Sequence, residues 1–211
     1  AADGQVFGRK VMSSGVIPQI SLILGPCAGG AVYSPALEAC VVMAEGSTMF
    51  LTGPEVVRSV TGEQVSAQDL GGAAVHMTRS GVAHLAAPDD ATALACVKQL
   101  LGYLPQNNNE DPQPLAPHDP ADRMDAALDS IIPEAESQAY DMREVLAHVF
   151  DRGSVLELQP DFAPNALVAF ARLDGFSVGV VANQPAHMAG ALDIDASDKI
   201  ARFIRCCDAF N

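Results

Sequence analysis

The sequence of 211 residues contains no tryptophan, and aromatic residues make up only 5% of it. Hydrophobic residues nevertheless account for 49%, so a buried core must be built mainly from alanine, valine, leucine and isoleucine. Small side chains of this kind allow helices to pack closely on sheets. The length is sufficient for one large domain or two small ones.

Basic residues are also scarce, because 12 lysines and arginines stand against 26 aspartates and glutamates. The formal net charge is -14. Nonspecific binding of nucleic acid requires a basic surface, so we expect no nucleic-acid partner. Any anionic ligand must be bound by local basic residues or by backbone amides, because the overall field repels it.

Signals of several other protein classes are missing. No apolar stretch is long enough to span a bilayer, no signal peptide opens the chain, and no C-x-x-C pair indicates a zinc ribbon. Five irregularly spaced cysteines in mostly apolar surroundings are typical of reduced thiols: Cys27, Cys40, Cys96, Cys206 and Cys207. We therefore expect a cytoplasmic protein with no membrane partner and no metal site.

Short apolar runs alternate with helical patterns, which predicts an α/β fold. Strands are predicted at residues 18–24, 41–44 and 48–51, near residue 156, and at 167–173 and 177–182. Helices are predicted at residues 31–39, 55–60, 88–104 and 142–150, and from about residue 195. Five of the 14 prolines fall in residues 105–120, which therefore predict a linker.

A glycine-rich turn at residues 25–30 joins the first predicted strand to a predicted helix. Backbone N–H groups at such a junction can bind a phosphate or a developing oxyanion. A phosphate is disfavoured, because no Gly-Lys-Ser/Thr follows and Gly25, Gly29 and Gly30 do not match G-x-G-x-x-G. The remaining alternatives are an oxyanion hole and close packing of helix on sheet, and spacing alone favours packing.

A series of motifs resembles one enzyme family in order along the chain. Residues 25–36 read GPCAGGAVYSPA and residues 50–57 read FLTGPEVV. Further matches follow: LGGA at 70–73, SGVAH at 80–84, HDP at 118–120, VANQP at 181–185, KIARFIR at 199–205 and CDAFN at 207–211. Together they are similar to the carboxyltransferase (beta) subunit of biotin-dependent acyl-CoA carboxylases, of the propionyl-CoA carboxylase type.

The resemblance implies a crotonase-like fold, in which ββα turns stack into two related halves. Residues 1–104 would end the acyl-CoA half, residues 105–140 would form the linker, and residues 141–211 would begin the biotin half. Family members are usually more than twice as long. We therefore expect a central fragment that is inactive by itself, with a second oxyanion hole beyond Asn211 and much of the CoA pocket before Ala1.

The resemblance also implies a reaction: a carboxyl group passes from carboxybiotin to the α carbon of a short-chain acyl-CoA such as propionyl-CoA, through an enolate. Biotin is then the cofactor, carried by a biotin carboxylase/biotin carrier alpha subunit, and the assembly is a homohexamer. Gly29 and Gly30 would form the oxyanion hole, for either the thioester enolate or the biotin carbonyl. The substrate-binding residues implied are Cys27, Ala28, Tyr33, Thr52, Gly53, Asn183 and Gln184.

Several assignments remain open. Asn183 and Gln184 either bind substrate or satisfy backbone groups at a strand end. His118, Asp119 and Asp122 either form a metal cluster or, as we favour, surround an Asp-Pro helix start. A surface loop is expected to carry His76, Arg79 and His84, for which the alternative is phosphate binding or substrate steering. A solvated helix face is expected to carry Lys199, Arg202 and Arg205, for which the alternative is contact with CoA phosphates or another subunit.

Two functional alternatives also remain. One is a decarboxylase or transcarboxylase subunit of the same superfamily, because these proteins share the transfer half-reaction. A fragment that acts only in assembly is the alternative outside catalysis.

Overall fold

A computed structural model describes residues 2–117, 119–135 and 138–211. The first part of the chain contains five short strands, which are β1 (Ile20–Ile23), β2 (Pro26–Ala28), β3 (Cys40–Ala44), β4 (Thr48–Phe50) and β5 (Leu85–Ala87). Its α-helices are α1 (Ala2–Ser13), α2 (Tyr33–Ala36), α3 (Pro54–Thr61), α4 (Ala67–Gly71), α5 (Ala73–Thr78) and α6 (Asp90–Leu101).

All strand pairs in this part are parallel. Strands β1, β3 and β5 form one sheet with β3 in the centre, and β2 pairs with β4 in a second sheet. Every residue of β3 is buried, which explains its unbroken apolar sequence Cys-Val-Val-Met-Ala. A strand covered on both faces needs no polar alternation.

The second part of the chain forms a three-stranded antiparallel sheet in the order β6-β7-β8. Its elements are α7 (Leu128–Ile131), α8 (Met142–Val149), β6 (Leu156–Leu158), β7 (Ala166–Leu173), β8 (Phe176–Asn183) and α9 (Ile194–Ala209). A two-residue turn at Asp174–Gly175 joins β7 to β8, and both residues have positive φ, at 51° and 80°. This conformation matches the twist of the two strands.

The two parts share one hydrophobic cluster. Phe170 of β7 stacks on Tyr103 at 5.8 Å between ring centroids and contacts Phe203 of α9 at 5.1 Å. Cys40 of β3 and Leu100 of α6 belong to the same buried cluster. The antiparallel sheet and α9 therefore pack directly against the parallel sheet.

The predicted α/β class and most predicted strands are confirmed. The helix predicted over residues 31–39 is wrong. A 3-10 helix spans Gly29–Val32, and α2 adds only one α-helical turn before β3 begins. The helix predicted to begin near residue 195 begins at Ile194, because the side chain of Asp193 accepts a hydrogen bond from Ala196 N. Helices α1, α4, α5 and α7 and strands β2 and β5 were not predicted.

The predicted linker has only α7 as a regular element among its described residues. Its backbone is nevertheless bonded to the antiparallel sheet. Leu115 N donates to Gly175 O at 3.0 Å, and Arg172 Nη1 donates to Gln113 O at 3.3 Å. A Cβ at Gly175 would lie 1.8 Å from Leu115 O, so the close approach requires glycine here.

The residues of the disfavoured metal cluster lie in this segment, and His118 falls outside the described residues. Asp119 forms an ion pair with Arg123 at 2.7 Å and accepts a hydrogen bond from Arg152 N. Pro120 is followed by a turn, not by the predicted helix, because Arg123 N donates to Pro120 O. No metal-binding group of acidic, histidine and cysteine residues occurs in the described ranges. Within them, each helix is also too short or too polar to cross a lipid bilayer.

The prediction of a solvated basic face on the last helix is wrong for Lys199. Its side chain is 1% exposed. Its Nζ donates to the carbonyl oxygens of Gln159 and Phe162 at 2.8 Å each, of Ala166 at 2.7 Å and of Ala163 at 3.4 Å. The ammonium group therefore supplies donors to carbonyls of the irregular segment before β7 and of the first residue of β7.

We predict that Lys199→Met destabilises the protein. Methionine has a similar length but donates no hydrogen bond, so buried carbonyls of the 159–166 loop lose their partner. Each buried group without a partner costs about 1–3 kcal/mol, so we expect the free energy of unfolding to fall by about 3 kcal/mol. Urea denaturation measures this change. Lys98→Met, on the exposed side of α6, is the matched control, and equal stability of the two variants contradicts the prediction.

His84 is also buried, at 4% exposure, and not on a surface loop as predicted. Its backbone N donates to Val41 O at 2.8 Å, and its Nδ1 accepts from Val41 N at 3.1 Å. Its carbonyl accepts from Gln159 N at 2.8 Å, so the residue links β3 to the antiparallel part. Burial, followed by the nearby Arg202, lowers the pKa of His84 to about 3.

Acid should destabilise the protein through His84. The unfolded state takes up a proton near pH 6.5, whereas the folded state does so only near pH 3. Between these values the free energy of unfolding should fall by about 1.4 kcal/mol for each pH unit of acidification. Denaturant titrations at several pH values measure this slope. His84→Gln should remove it and His187→Gln, at an exposed histidine, should keep it; identical slopes in all three proteins would refute the assignment.

Candidate functional site

The parallel pairing of β2 with β4 determines the geometry of the candidate site. Cys27 lies opposite Met49, and Ala28 lies opposite Phe50. The carboxyl ends of both strands therefore meet at one edge of the sheet. The glycine turn follows β2 there, and residues 51–53 follow β4. Sites in parallel α/β structures commonly gather at this kind of edge.

The turn itself presents backbone to the surroundings. Ala28 is extended, and Gly29 has φ of +63°, a left-handed conformation that favours glycine. Gly29 and Gly30 open the 3-10 helix, whose first N–H groups have no partner within the helix. Gly30 is exposed, and a Cβ at either glycine would meet nothing within 4 Å. The turn thus combines helix-start amides with open space beside them.

Three predicted substrate-binding residues flank the turn. Cys27 is half-buried and packs against the core, and burial raises the pKa of its thiol. Ala28 is exposed. Tyr33 is 51% exposed, and its ring contacts Phe7 of α1 edge-on with 5.8 Å between centroids. An aromatic pair therefore stands beside the turn, three residues after Gly30.

Thr52 and Gly53 occupy the adjacent strand end. Thr52 is exposed, and Gly53 is extended at the N-cap of α3. The Gly53 carbonyl accepts from Val56 N and Val57 N, both at 3.1 Å. Pro54 begins α3, a position that suits its fixed φ. The β2–β4 pairing thus brings this pair to the same edge as Gly29 and Gly30.

Asn183 and Gln184 lie at the end of β8, in a different sheet. Gln184 is fully buried: its Oε1 accepts from Met142 N at 3.1 Å, and its Nε2 donates to Asp141 Oδ1 at 2.6 Å. Asn183 Nδ2 donates to the carbonyl of Gly190. Both amide side chains therefore satisfy other groups of the chain, and Gln184 holds the start of α8.

His76 contacts the backbone of β4 next to the candidate site, although the sequence predicted it on a surface loop. It lies on α5, where its Nε2 is 2.6 Å from Met49 O and its Nδ1 is 2.8 Å from Ser80 Oγ. A carbonyl oxygen only accepts, so Nε2 carries a proton and Ser80 donates to Nδ1 when the ring is neutral. Gly71 also packs on this carbonyl, because its Cβ would lie 2.3 Å away. The H-x-x-x-S spacing, from α5 into the turn that follows it, was the signal available in the sequence.

A family model described as "Carboxyl transferase domain" matches residues 1–211. The chain belongs to this family. The methylmalonyl-CoA decarboxylase subunit alpha of Veillonella parvula is 53% identical over 100% of the chain and 42% of its own length. The propionyl-CoA carboxylase carboxyltransferase subunit of Haloferax mediterranei is 53% identical over 99% of the chain and 40% of its own length. The chain thus spans about two fifths of these relatives.

Solved structures agree with the sequence match. A crystal structure of transcarboxylase 12S, with hydrolysed methylmalonyl-CoA bound, superposes with a TM-score of 0.95 and 48% identity. It matches 99% of this carboxyl transferase domain chain and 41% of the transcarboxylase chain. A single-chain, multi-domain long-chain acyl-CoA carboxylase gives a TM-score of 0.80 at 27% identity, over 97% of this chain and 20% of its own. The predicted crotonase-like fold is confirmed.

We predict that His76 positions the end of β4 for the function of this carboxyl transferase domain. In the complete protein, His76→Ala should lower kcat by roughly tenfold, the effect of about 1.4 kcal/mol, while KM changes little. His76→Gln can still donate to Met49 O and should recover part of the loss. Steady-state kinetics and thermal unfolding of the same samples test this. If His76→Ala lowers the unfolding temperature but keeps normal kcat per folded molecule, His76 has only a structural role.

Proposed function

We propose that the chain is part of a carboxyltransferase that moves a carboxyl group from carboxybiotin to the α carbon of a short-chain acyl-CoA, such as propionyl-CoA. The observation that carries the proposal is the open turn at Gly29 and Gly30, placed beside Thr52 and Gly53 in a member of the carboxyl transferase domain family. The names of relatives that act on propionyl-CoA or methylmalonyl-CoA support the substrate class.

In this proposal, the amides of Gly29 and Gly30 bind the thioester oxygen of the substrate. Loss of the α-proton places negative charge on that oxygen as the enolate forms. Donors fixed at a helix start stabilise the charge without reorganising, and they interact more strongly with the enolate than with the neutral thioester. The exposed residues Ala28, Tyr33 and Thr52 line the approach to the same edge and would contact the acyl-CoA.

The residues of the turn also fit a reaction that needs no side-chain base. Burial raises the pKa of the Cys27 thiol, which therefore stays protonated near neutral pH and does not remove a proton. Carboxybiotin, when bound, would supply the carboxyl group as carbon dioxide, and breaking of its N–C bond would free a ureido nitrogen that could accept the α-proton. The role of this chain is then to bind, orient and stabilise the substrate oxygen, with open space beside Gly30 for the incoming group.

Partners and assembly follow from the same proposal. Carboxybiotin requires a biotin carboxylase/biotin carrier alpha subunit, and a homohexamer is supported by the hexamer named for transcarboxylase 12S. Helix α3, next to Gly53, buries none of its residues and leaves Val56 52% and Val60 78% exposed. Such an apolar surface favours contact with another subunit. The five free cysteines support a cytoplasmic location.

Asn183 and Gln184 have an indirect role in the proposed function. Their side chains bond to Gly190 and to the start of α8, so we propose that they shape the strand end on the biotin side and act on substrate only through those neighbours.

A decarboxylase or transcarboxylase subunit is the second candidate. The decarboxylase of Veillonella parvula and the carboxylase of Haloferax mediterranei share the same 53% identity with the chain, so similarity does not separate them. Neighbouring genes provide the distinction. A biotin carboxylase gene indicates a carboxylase, whereas genes for membrane subunits indicate a decarboxylating pump.

Gly30→Val in the complete protein should reduce carboxyl transfer from carboxybiotin on the order of 100-fold, or about 3 kcal/mol in the barrier. The expected cause is displacement of an amide that acts mainly in the transition state, so binding of the CoA ester should weaken much less. Assays with acetyl-, propionyl- and butyryl-CoA measure the loss and the preferred chain length.

Gly30→Ala is the matched variant, because it adds a single methyl group and should give a smaller loss in the same direction. Thermal unfolding is measured on the same samples. If both variants unfold early yet retain normal activity per folded molecule, Gly30 serves packing and the assignment of the oxyanion hole is wrong.

A further inference from the structure

A cavity of about 270 Å³ lies at the sheet edge opposite the glycine turn. It is lined by Gln19 and Ala39, which directly precede β1 and β3, and so marks the amino ends of these strands. Residues 14–17 after α1 and residues 202–210 of the last helix complete its wall. The cavity is therefore built from both parts of the chain and is separate from the carboxyl edge described above.

Two arginines of α9 face this cavity. Arg202 and Arg205 are three residues apart and so lie on one side of the helix. Arg202 Nη2 donates to Glu38 O at 3.0 Å, and burial, with a smaller effect of Arg205, lowers the pKa of Arg202. Within the described ranges, Arg205 makes no side-chain hydrogen bond and no ion pair.

The nearby carboxylate does not neutralise the two arginines. Glu38 is buried, and its side chain is already bonded to Lys10 and to Ser21 Oγ. The region therefore carries a local excess of positive charge in a chain whose net charge is -14. Two adjacent guanidinium groups with free donors attract a carboxylate or a phosphate, which they bind in a planar, bidentate geometry.

Part of the remaining wall is apolar, beside the polar residues Ser14, Gln19 and Glu38. Ile17, Leu37 and Phe210 contribute to the apolar part. The volume corresponds to about nine water molecules at ~30 Å³ each. That space holds one anionic group with a short apolar body.

We propose that this cavity binds a small organic or inorganic anion, a carboxylate or a phosphate, through Arg202 and Arg205. The anion would relieve the repulsion between the two guanidinium groups and would bridge α9 to the segment that precedes β1. Anion binding here is independent of carboxyl transfer at the opposite edge, so either activity can be lost without the other.

The test is calorimetric titration of the complete protein with propionate, inorganic phosphate and, as a neutral match for propionate, propionamide. We expect millimolar binding of at least one anion and none of propionamide. Arg205→Gln should weaken anion binding by roughly tenfold or more, and Arg205→Lys by less. Arg58→Gln, which removes the same charge from an exposed helix, should bind as the wild type does.

Alkylation locates the ligand. Cys206 lines the cavity, whereas Cys27 lies at the opposite edge, and both are half-buried. The anion should slow the reaction of iodoacetamide with Cys206 and leave Cys27 unchanged. Stronger binding of propionate than of phosphate would identify an organic acid as the ligand class, and the reverse a phosphate.

Three outcomes overturn the proposal: no heat with any anion, equal binding of propionate and propionamide, or Arg205→Gln binding as tightly as the wild type while remaining folded. Sedimentation of the same variants tests whether a second copy of the chain, and not a small anion, occupies the cavity. If the wild type binds no added anion but Arg205→Gln changes the oligomeric state, the arginines contact an acidic group of a second copy.

Discussion

Parallel pairing of β2 with β4 is the constraint on which the candidate site depends. Each strand has only three residues, and alone such a pair is marginal. Its outer edge is completed by the α4–α5 segment, where Gly72 bridges to Thr48 and His76 binds Met49 O. Thr48 and Met49 are thereby contacted on the side of β4 away from β2, which helps to hold the two strand ends in register.

Carbonyl groups of irregular segments impose a second constraint. Lys199 binds four carbonyls of the 159–166 loop, and Arg172 binds those of Gly102, Gln113 and Gly175. Neither cation has a carboxylate partner among the described residues. Buried basic groups thus act as multivalent donors, which join the linker and loops to the sheets in an acidic protein.

Sequence periodicity and composition were enough to predict six of the eight strands, the α/β class and the glycine turn, and ordered motifs identified the family. Burial of single polar residues could not be predicted in this way. The sequence pattern around Lys199 predicts a polar helix face. The Lys199 side chain is buried only because the loop before β7 packs over it. His84 likewise follows a glycine-containing turn, yet its ring replaces a backbone partner of Val41.

In an acidic chain any bound anion must be held by local fields, and the two edges of the parallel sheets carry two different kinds of donor. At the carboxyl edge, amides at Gly29 and Gly30 supply partial charges that suit an oxygen whose charge appears only during reaction. At the amino edge, Arg202 and Arg205 supply full charges that suit a permanent anion. The two kinds of donor differ in the strength of their charge. A full positive charge would also bind the ground state of the substrate tightly, whereas a catalytic donor must bind the transition state more strongly than the ground state.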